Sequence, residues 1–146
     1  MRTLKSLLKI FAVFPYIFSE VIIFDNENTG DDEIIEEMRQ KGLNVMMADD
    51  SFDTIVPRLD VVYINAIAWV GDGFETYGSE FSLNKGTPFK KEAIVLHPLA
   101  RGEELSTDLD NTAHNWYFSQ ARGAVFIRMA LLTCLVHRKG RVLDVV

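Results

Sequence analysis

A histidine, an arginine and two carboxylates fall within one short stretch, His97-Pro98-Leu99-Ala100-Arg101-Gly102-Glu103-Glu104. Asp110, His114, Trp116-Tyr117-Phe118 and Gln120 follow closely. A guanidinium in such a cluster can form a two-pronged, charge-assisted pair with a carboxylate. Each side chain also has a plainer reading. His97 closes an apolar run and reads as a hydrogen-bonded histidine near the core rather than a general base. Arg101 reads as a loop-shaping partner of Glu103 or Glu104. Arg128, in the last helical run, reads as a structural arginine pairing with loop carbonyls or carboxylates. His114 reads as structural, and Trp116, Tyr117 and Phe118 as core aromatics. Taken alone, Arg2 reads as a frayed terminal residue.

Other chemistries find little support. The three histidines lack metal-ligand spacing, so neither a metal nor a cofactor is expected. Gly71-Asp72-Gly73 follows a strand-like run, but the third glycine of a dinucleotide loop is misplaced and no helix opens there. The net charge of −6 comes without a basic cluster, which excludes a nucleic-acid partner. Cys134, the one cysteine, excludes an internal disulfide and reads as a small buried hydrophobe in an apolar helix. The first 18 residues carry Lys5 and Lys9 before an apolar run broken by Pro15. That run is too short to span a bilayer, and no small-residue cleavage site follows it. The expectation is a cytoplasmic protein with no membrane partner.

The elements that must position the cluster alternate between strand and helix. Leu4, Leu7, Leu8 and Phe11 have helical spacing, with Lys5 and Lys9 on another face, which predicts an amphipathic helix docked on a sheet. Strands are expected over residues 20–25, 43–48, 60–67 and 93–97. A helix opens at Asp31-Asp32, buries Ile34, Ile35 and Met38, and stops at Gly42. A short helix covers residues 51–59, capped by Asp50 or Ser51, with Pro57 near its end. A final helix runs from about Trp116 or Gly123 to His137. Residues 68–91, with Gly71, Gly73, Gly78 and Gly86, form a long irregular segment. This order predicts an α/β fold: a doubly wound, Rossmann-like parallel sheet of about four or five strands with helices on both faces. Ligands on such sheets bind beyond the carboxyl ends of the strands, where Asn65-Ala66 and His97-Pro98-Leu99 fall.

Separated blocks, in order, resemble the aspartate/ornithine carbamoyltransferase family. Arg2-Thr3-Leu4-Lys5-Ser6-Leu7 is similar to the Gly-Arg-Thr-x-x-Ser-Leu that opens the aspartate-binding domain. Asp60-Val61-Val62-Tyr63 is similar to a family strand. The run from His97 to Leu105 resembles His-Pro-Leu-Pro-Arg-x-x-Glu-(Ile/Leu), and Asp110 to Ala121 resembles Asp-x-Thr-x-His-x-x-Tyr-Phe-x-Gln-Ala. Phe126-Ile127-Arg128-Met129-Ala130-Leu131-Leu132 is similar to the closing Phe-x-Arg-x-Ala-Leu-Leu. The resemblance implies transfer of a carbamoyl group from carbamoyl phosphate to the amine of L-aspartate, an early step of pyrimidine synthesis. It implies that Arg2 binds an aspartate carboxylate and that the backbone of Pro98, Leu99 and Ala100 holds the carbamoyl group. His97, Arg101 and Arg128 would support them. L-aspartate, carbamoyl phosphate, and a catalytic-chain partner or further copies of this chain are the implied partners.

The pattern also departs from the family. The Ser-x-Arg-Thr and His-x-x-Gln motifs of the carbamoyl phosphate domain do not occur, so residues 1–146 are expected to form a single amino-acid-binding domain that turns over only with that second domain. After Tyr63-Ile64 the family continues Thr-Arg-x-Gln, whereas this chain has Asn65-Ala66-Ile67-Ala68. Losing a charged ligand there would weaken binding by on the order of 2–5 kcal/mol, unless Lys85, Lys90 or Lys91 replaces it. Ala100 stands where the family has a proline after a cis bond, so this turn is expected to differ or to carry strain. Three readings stay open: half of an aspartate carbamoyltransferase-like enzyme, a carbamoyltransferase for a different amino acid, and a non-catalytic or truncated relative with a structural or regulatory role. An isolated domain of this kind is also expected to be monomeric or to expose an apolar face.

Overall fold

Leu7, Leu8 and Phe11 fall within an arc of about 100° on a helix, and Lys5 and Lys9 fall outside it. This helix is α1 (Arg2–Phe11) of the computed structural model, with Leu8 fully buried and both lysines exposed. The structure describes residues 2–24, 32–48, 51–65 and 81–137. The chain forms two compact units, Met1–Thr54 and Ile55–Val146.

In the first unit α1 and a short 3-10 turn (Pro15–Ile17) precede β1 (Val21–Ile23), α2 (Asp32–Gln40) and β2 (Val45–Met47). Ile34, Ile35 and Met38 of α2 are buried with Leu8, Ile23, Leu43 and Val45 in one core. The helix ends in a Schellman motif. Leu43 N–H donates to the Met38 carbonyl at 3.1 Å and Gly42 N–H to the Arg39 carbonyl at 2.9 Å, while Gly42 takes a φ of 88° that a Cβ would disfavour. The chain then returns parallel to β1, with Val21, Ile22 and Ile23 opposite Val45, Met46 and Met47.

α3 (Phe52–Ile55) follows Ser51, whose carbonyl accepts from Thr54 N–H at 3.0 Å. It runs straight into a 3-10 turn (Val56–Arg58) holding Pro57. In the second unit β3 (Val61–Tyr63) and β4 (Ile94–Leu96) are parallel, with Val62 opposite Val95. The Lys90 ammonium pairs with the Asp60 carboxylate beside this ladder. The other edge of β4 is held by residues 114–116: Val95 N–H donates to the His114 carbonyl at 2.8 Å, and Trp116 N–H to the Val95 carbonyl at 3.2 Å. A 3-10 turn (Thr107–Asn111) then leads to the last helix, α4 (Tyr117–His137).

The α/β class and the parallel strands agree with the sequence reading. The strands are shorter than expected, three residues each, and they pair two and two, β1 with β2 and β3 with β4. Two expectations on the last helix are corrected. Of the three aromatics only Tyr117 is buried; Trp116 and Phe118 are 49% and 48% exposed. Neighbouring helix positions diverge by about 100°, so consecutive rings cannot share one buried face. Cys134 is exposed rather than buried. It sits on a helix where Phe126, Ile127, Leu131 and Val136 are each more than half exposed. Asp31, Asp50, residues 66–68 and the glycines at 71, 73 and 78 lie outside the described residues.

Two glycines give opposite expectations. A Cβ at Gly123 meets nothing within 4 Å, so Gly123→Ala should stabilise α4 by about 0.5–1 kcal/mol. Gly42→Ala should destabilise the chain by about 1 kcal/mol or more, because φ is positive there. Urea denaturation of the two variants beside the parent chain checks both signs.

Candidate functional site

β4 delivers His97 to its carboxyl end with the side chain fully buried. Burial demands partners for both ring nitrogens, and both have one. Leu99 N–H donates to Nδ1 at 2.9 Å, and Nε2 lies 2.8 Å from Glu104 Oε1. A nitrogen that accepts an N–H carries no proton, so these partners assign the proton to Nε2, which donates to Glu104. The same Glu104 oxygen accepts Gly102 N–H at 2.7 Å. Glu104 Oε2 is buried and has no partner among the described residues. Gln120, on the first turn of α4, accepts the backbone N–H of His97 at 2.9 Å.

The turn between these anchors presents Pro98 and Ala100 to solvent. Leu99 is in the left-handed region with φ 51°, and the Leu99–Ala100 peptide is cis. The position that carries proline in the resembling family therefore keeps that peptide geometry with alanine. Among the described residues no hydrogen bond ends on the carbonyl of Pro98 or Leu99, which leaves both as open acceptors.

A second cluster holds the outer side of the turn. Arg101 forms a two-pronged pair with Asp110, at 2.5 and 2.8 Å, and its guanidinium lies 5.8 Å from the ring centroids of Tyr117 and Phe118. Tyr117 Oη donates to Asp110 Oδ1 at 2.6 Å. The Arg101 guanidinium, seconded by the Tyr117 hydroxyl, pulls the Asp110 carboxyl down to about 2. Burial, then the Asp110 carboxylate, pushes the Tyr117 phenol up to about 12. Arg101 thus shapes the loop, but its expected partners are corrected: Glu104 is turned inward to His97, Glu103 is exposed, and Asp110 takes the pair.

His114 Nδ1 bonds the Ala93 carbonyl at 2.7 Å and packs on Phe89, a structural role as expected. Arg128 is exposed and has no pairing among the described residues. The side chain of Arg2 and all of Ala66 and Ala68 lie outside the described residues. Lys90 is taken by Asp60, and Lys91 stands 3.9 Å from its neighbour Glu92. The sequence reading gave no role to Asp110 or Gln120, took Glu104 only as a partner of Arg101 and took Tyr117 only as a core aromatic, although all four fall on constant letters of the motif.

Fold and site together define an α/β domain with a pinned, solvent-facing turn at the end of a parallel strand. The family model of the aspartate/ornithine carbamoyltransferase Asp/Orn binding domain matches residues 1–135, and the chain belongs to that family. The aspartate carbamoyltransferase catalytic subunit of Methanobrevibacter smithii is 36% identical over 108 residues, 71% of this chain and 34% of that subunit. That of Chromobacterium violaceum is 30% identical over 148 residues, 93% of this chain and 46% of the subunit. The structure of Trypanosoma cruzi aspartate transcarbamoylase in complex with carbamoyl aspartate and phosphate matches with a TM-score of 0.71 at 27% identity, over 90% of this chain and 42% of that one. The chain spans less than half the length of these relatives.

Asp110→Asn should destabilise the chain by about 1–3 kcal/mol at neutral pH by removing the charged pair with Arg101. The Asp110 carboxyl sits at about 2 against its ordinary 3.8, so the folded state binds that proton more weakly than the unfolded chain. Its stabilisation is complete above the ordinary value and is lost as pH falls toward the depressed one. Thermal melts across that window should show the gap between parent and variant closing.

Proposed function

We propose that this chain is the amino-acid-binding half of an aspartate carbamoyltransferase-like enzyme. The observation that carries the reading is the 97–102 turn, with the Pro98 and Leu99 carbonyls open as acceptors and the turn pinned from both sides. In the reaction the amine nitrogen of L-aspartate attacks the carbamoyl carbon of carbamoyl phosphate. A C–N bond forms, the C–O bond to phosphate breaks, and phosphate leaves with the bonding pair and takes up the proton that the amine nitrogen gives up. The two carbonyls suit the carbamoyl NH2, which needs acceptors, and a turn fixed in advance holds that group without reordering at the moment of attack. Arg2 is the proposed partner of an aspartate carboxylate. A carbamoyl phosphate-binding domain, in the same protein or on another chain, supplies the phosphate site.

Asn65-Ala66, where relatives of the family pattern have Thr-Arg, favours a second reading: the amine substrate is an amino acid other than aspartate, or binding is retained without turnover. Calorimetry with aspartate and with succinate, each with and without a carbamoyl phosphate domain, separates these. Heat with aspartate in the presence of that domain supports the aspartate reading. Silence under every condition overturns it.

α4 supports a shared assembly. Its exposed apolar residues surround the helix, an arrangement that water disfavours. Its length and hydropathy would also suit a bilayer, but Arg128 in its middle would be costly there, so a protein cover fits better. The isolated chain should self-associate in light scattering, and Ile127→Lys with Leu131→Lys should reduce that association while the far-UV spectrum stays unchanged.

A further inference from the structure

His97 is too deeply buried to exchange protons with a substrate, yet it occupies the base of the turn assigned above to the carbamoyl group. We propose that His97 is a positioning residue for that contact and that Glu104 acts through it by holding the ring in a single tautomer. The inference rests on the carbamoyl-binding reading of Pro98 and Leu99.

A neutral imidazole has one bare nitrogen, and its neighbours decide which. Glu104 Oε1 already accepts Gly102 N–H at 2.7 Å, and it faces Nε2 at 2.8 Å. With the proton on Nδ1 instead, the Nε2 lone pair would face a carboxylate oxygen, and the Nδ1 proton would face Leu99 N–H. Two buried hydrogen bonds would be replaced by two repulsions, so one tautomer is selected.

The bare Nδ1 then fixes a peptide plane. Leu99 N–H belongs to the same planar unit as the Pro98 carbonyl, and in a trans peptide the two point in opposite directions. Drawing the N–H inward onto His97 therefore aims the Pro98 carbonyl away from the buried ring. Glu104 grips the far end of the turn through Gly102. One carboxylate oxygen thus sets both ends of the segment, and the ring between converts its position into the direction of a carbonyl.

Two substitutions split the device. The Oδ1 of His97→Asn can still accept Leu99 N–H but cannot reach Glu104. The amide nitrogen of His97→Gln can still donate to Glu104 but offers Leu99 no acceptor. Long-range 1H–15N spectra of the histidine-labelled parent chain should place the His97 proton on Nε2. Leu99 amide exchange should quicken by about tenfold or more in His97→Gln and stay within about threefold of the parent in His97→Asn. In enzyme assembled from this chain and a carbamoyl phosphate domain, His97→Gln should raise the KM for carbamoyl phosphate by about tenfold and leave that for aspartate nearly unchanged, with His97→Asn restoring most of the loss.

A proton on Nδ1 in the parent, or equal Leu99 exchange in the two variants, overturns the proposal. If neither variant folds, the tautomer of the parent decides alone. No transfer by the assembled parent enzyme, with the tautomer as assigned, sinks the carbamoyl reading and this residue's part in it, while the anchoring of the turn stands as a separate result.

Discussion

The buried carboxylate of Glu104 is the constraint on which the rest of the site depends. Burying such a group is expensive unless it is hydrogen-bonded. Here Oε1 takes Gly102 N–H and His97 Nε2–H, while Oε2 has no partner among the described residues. A fully apolar core at this place would be easier to stabilise, but it would not set the shape of the turn. What the charge supplies is direction: it fixes where the strand ends, where the turn closes, and how the peptide between is oriented.

The outer cluster complements the inner one. Arg101, Asp110 and Tyr117 join the turn to the start of α4, while Gln120 joins the backbone of His97 to the next part of that helix. Among the described residues, the side-chain hydrogen bonds that shape the turn come from residues 97–120, while Leu83 N–H holds the Glu104 carbonyl at 2.9 Å from outside that stretch. A left-handed leucine with φ 51° costs about 1–2 kcal/mol by itself. It is tolerable because partners on both sides leave the chain few alternatives.

Elements governed by local rules were legible in the sequence. The stripe of α2, its stop at Gly42 and the strand at Ile94–Leu96 all follow from spacing, glycine and β-branched runs within a few residues. Partner choice was not legible. Arg101 has two acidic residues close by in sequence, but it pairs with Asp110, nine positions away, because Glu104 is already committed to a buried histidine. Nor does local composition say which of three adjacent aromatics faces inward. Tyr117 does, since its hydroxyl has the Asp110 carboxylate to reach. For Cys134 the apolar neighbours misled, because an apolar helix implies burial only where something packs over it.

That last point bears on how the protein fares in a cell. Until α4 is covered, Phe126, Ile127, Leu131 and Val136 stand in water, a surface of the kind that chaperones and proteases treat as a mark of unfinished folding. Surplus copies would then be short-lived however well the two parallel ladders are formed. The steady-state amount of the chain would follow the supply of whatever shields that helix, through turnover rather than through control of its synthesis.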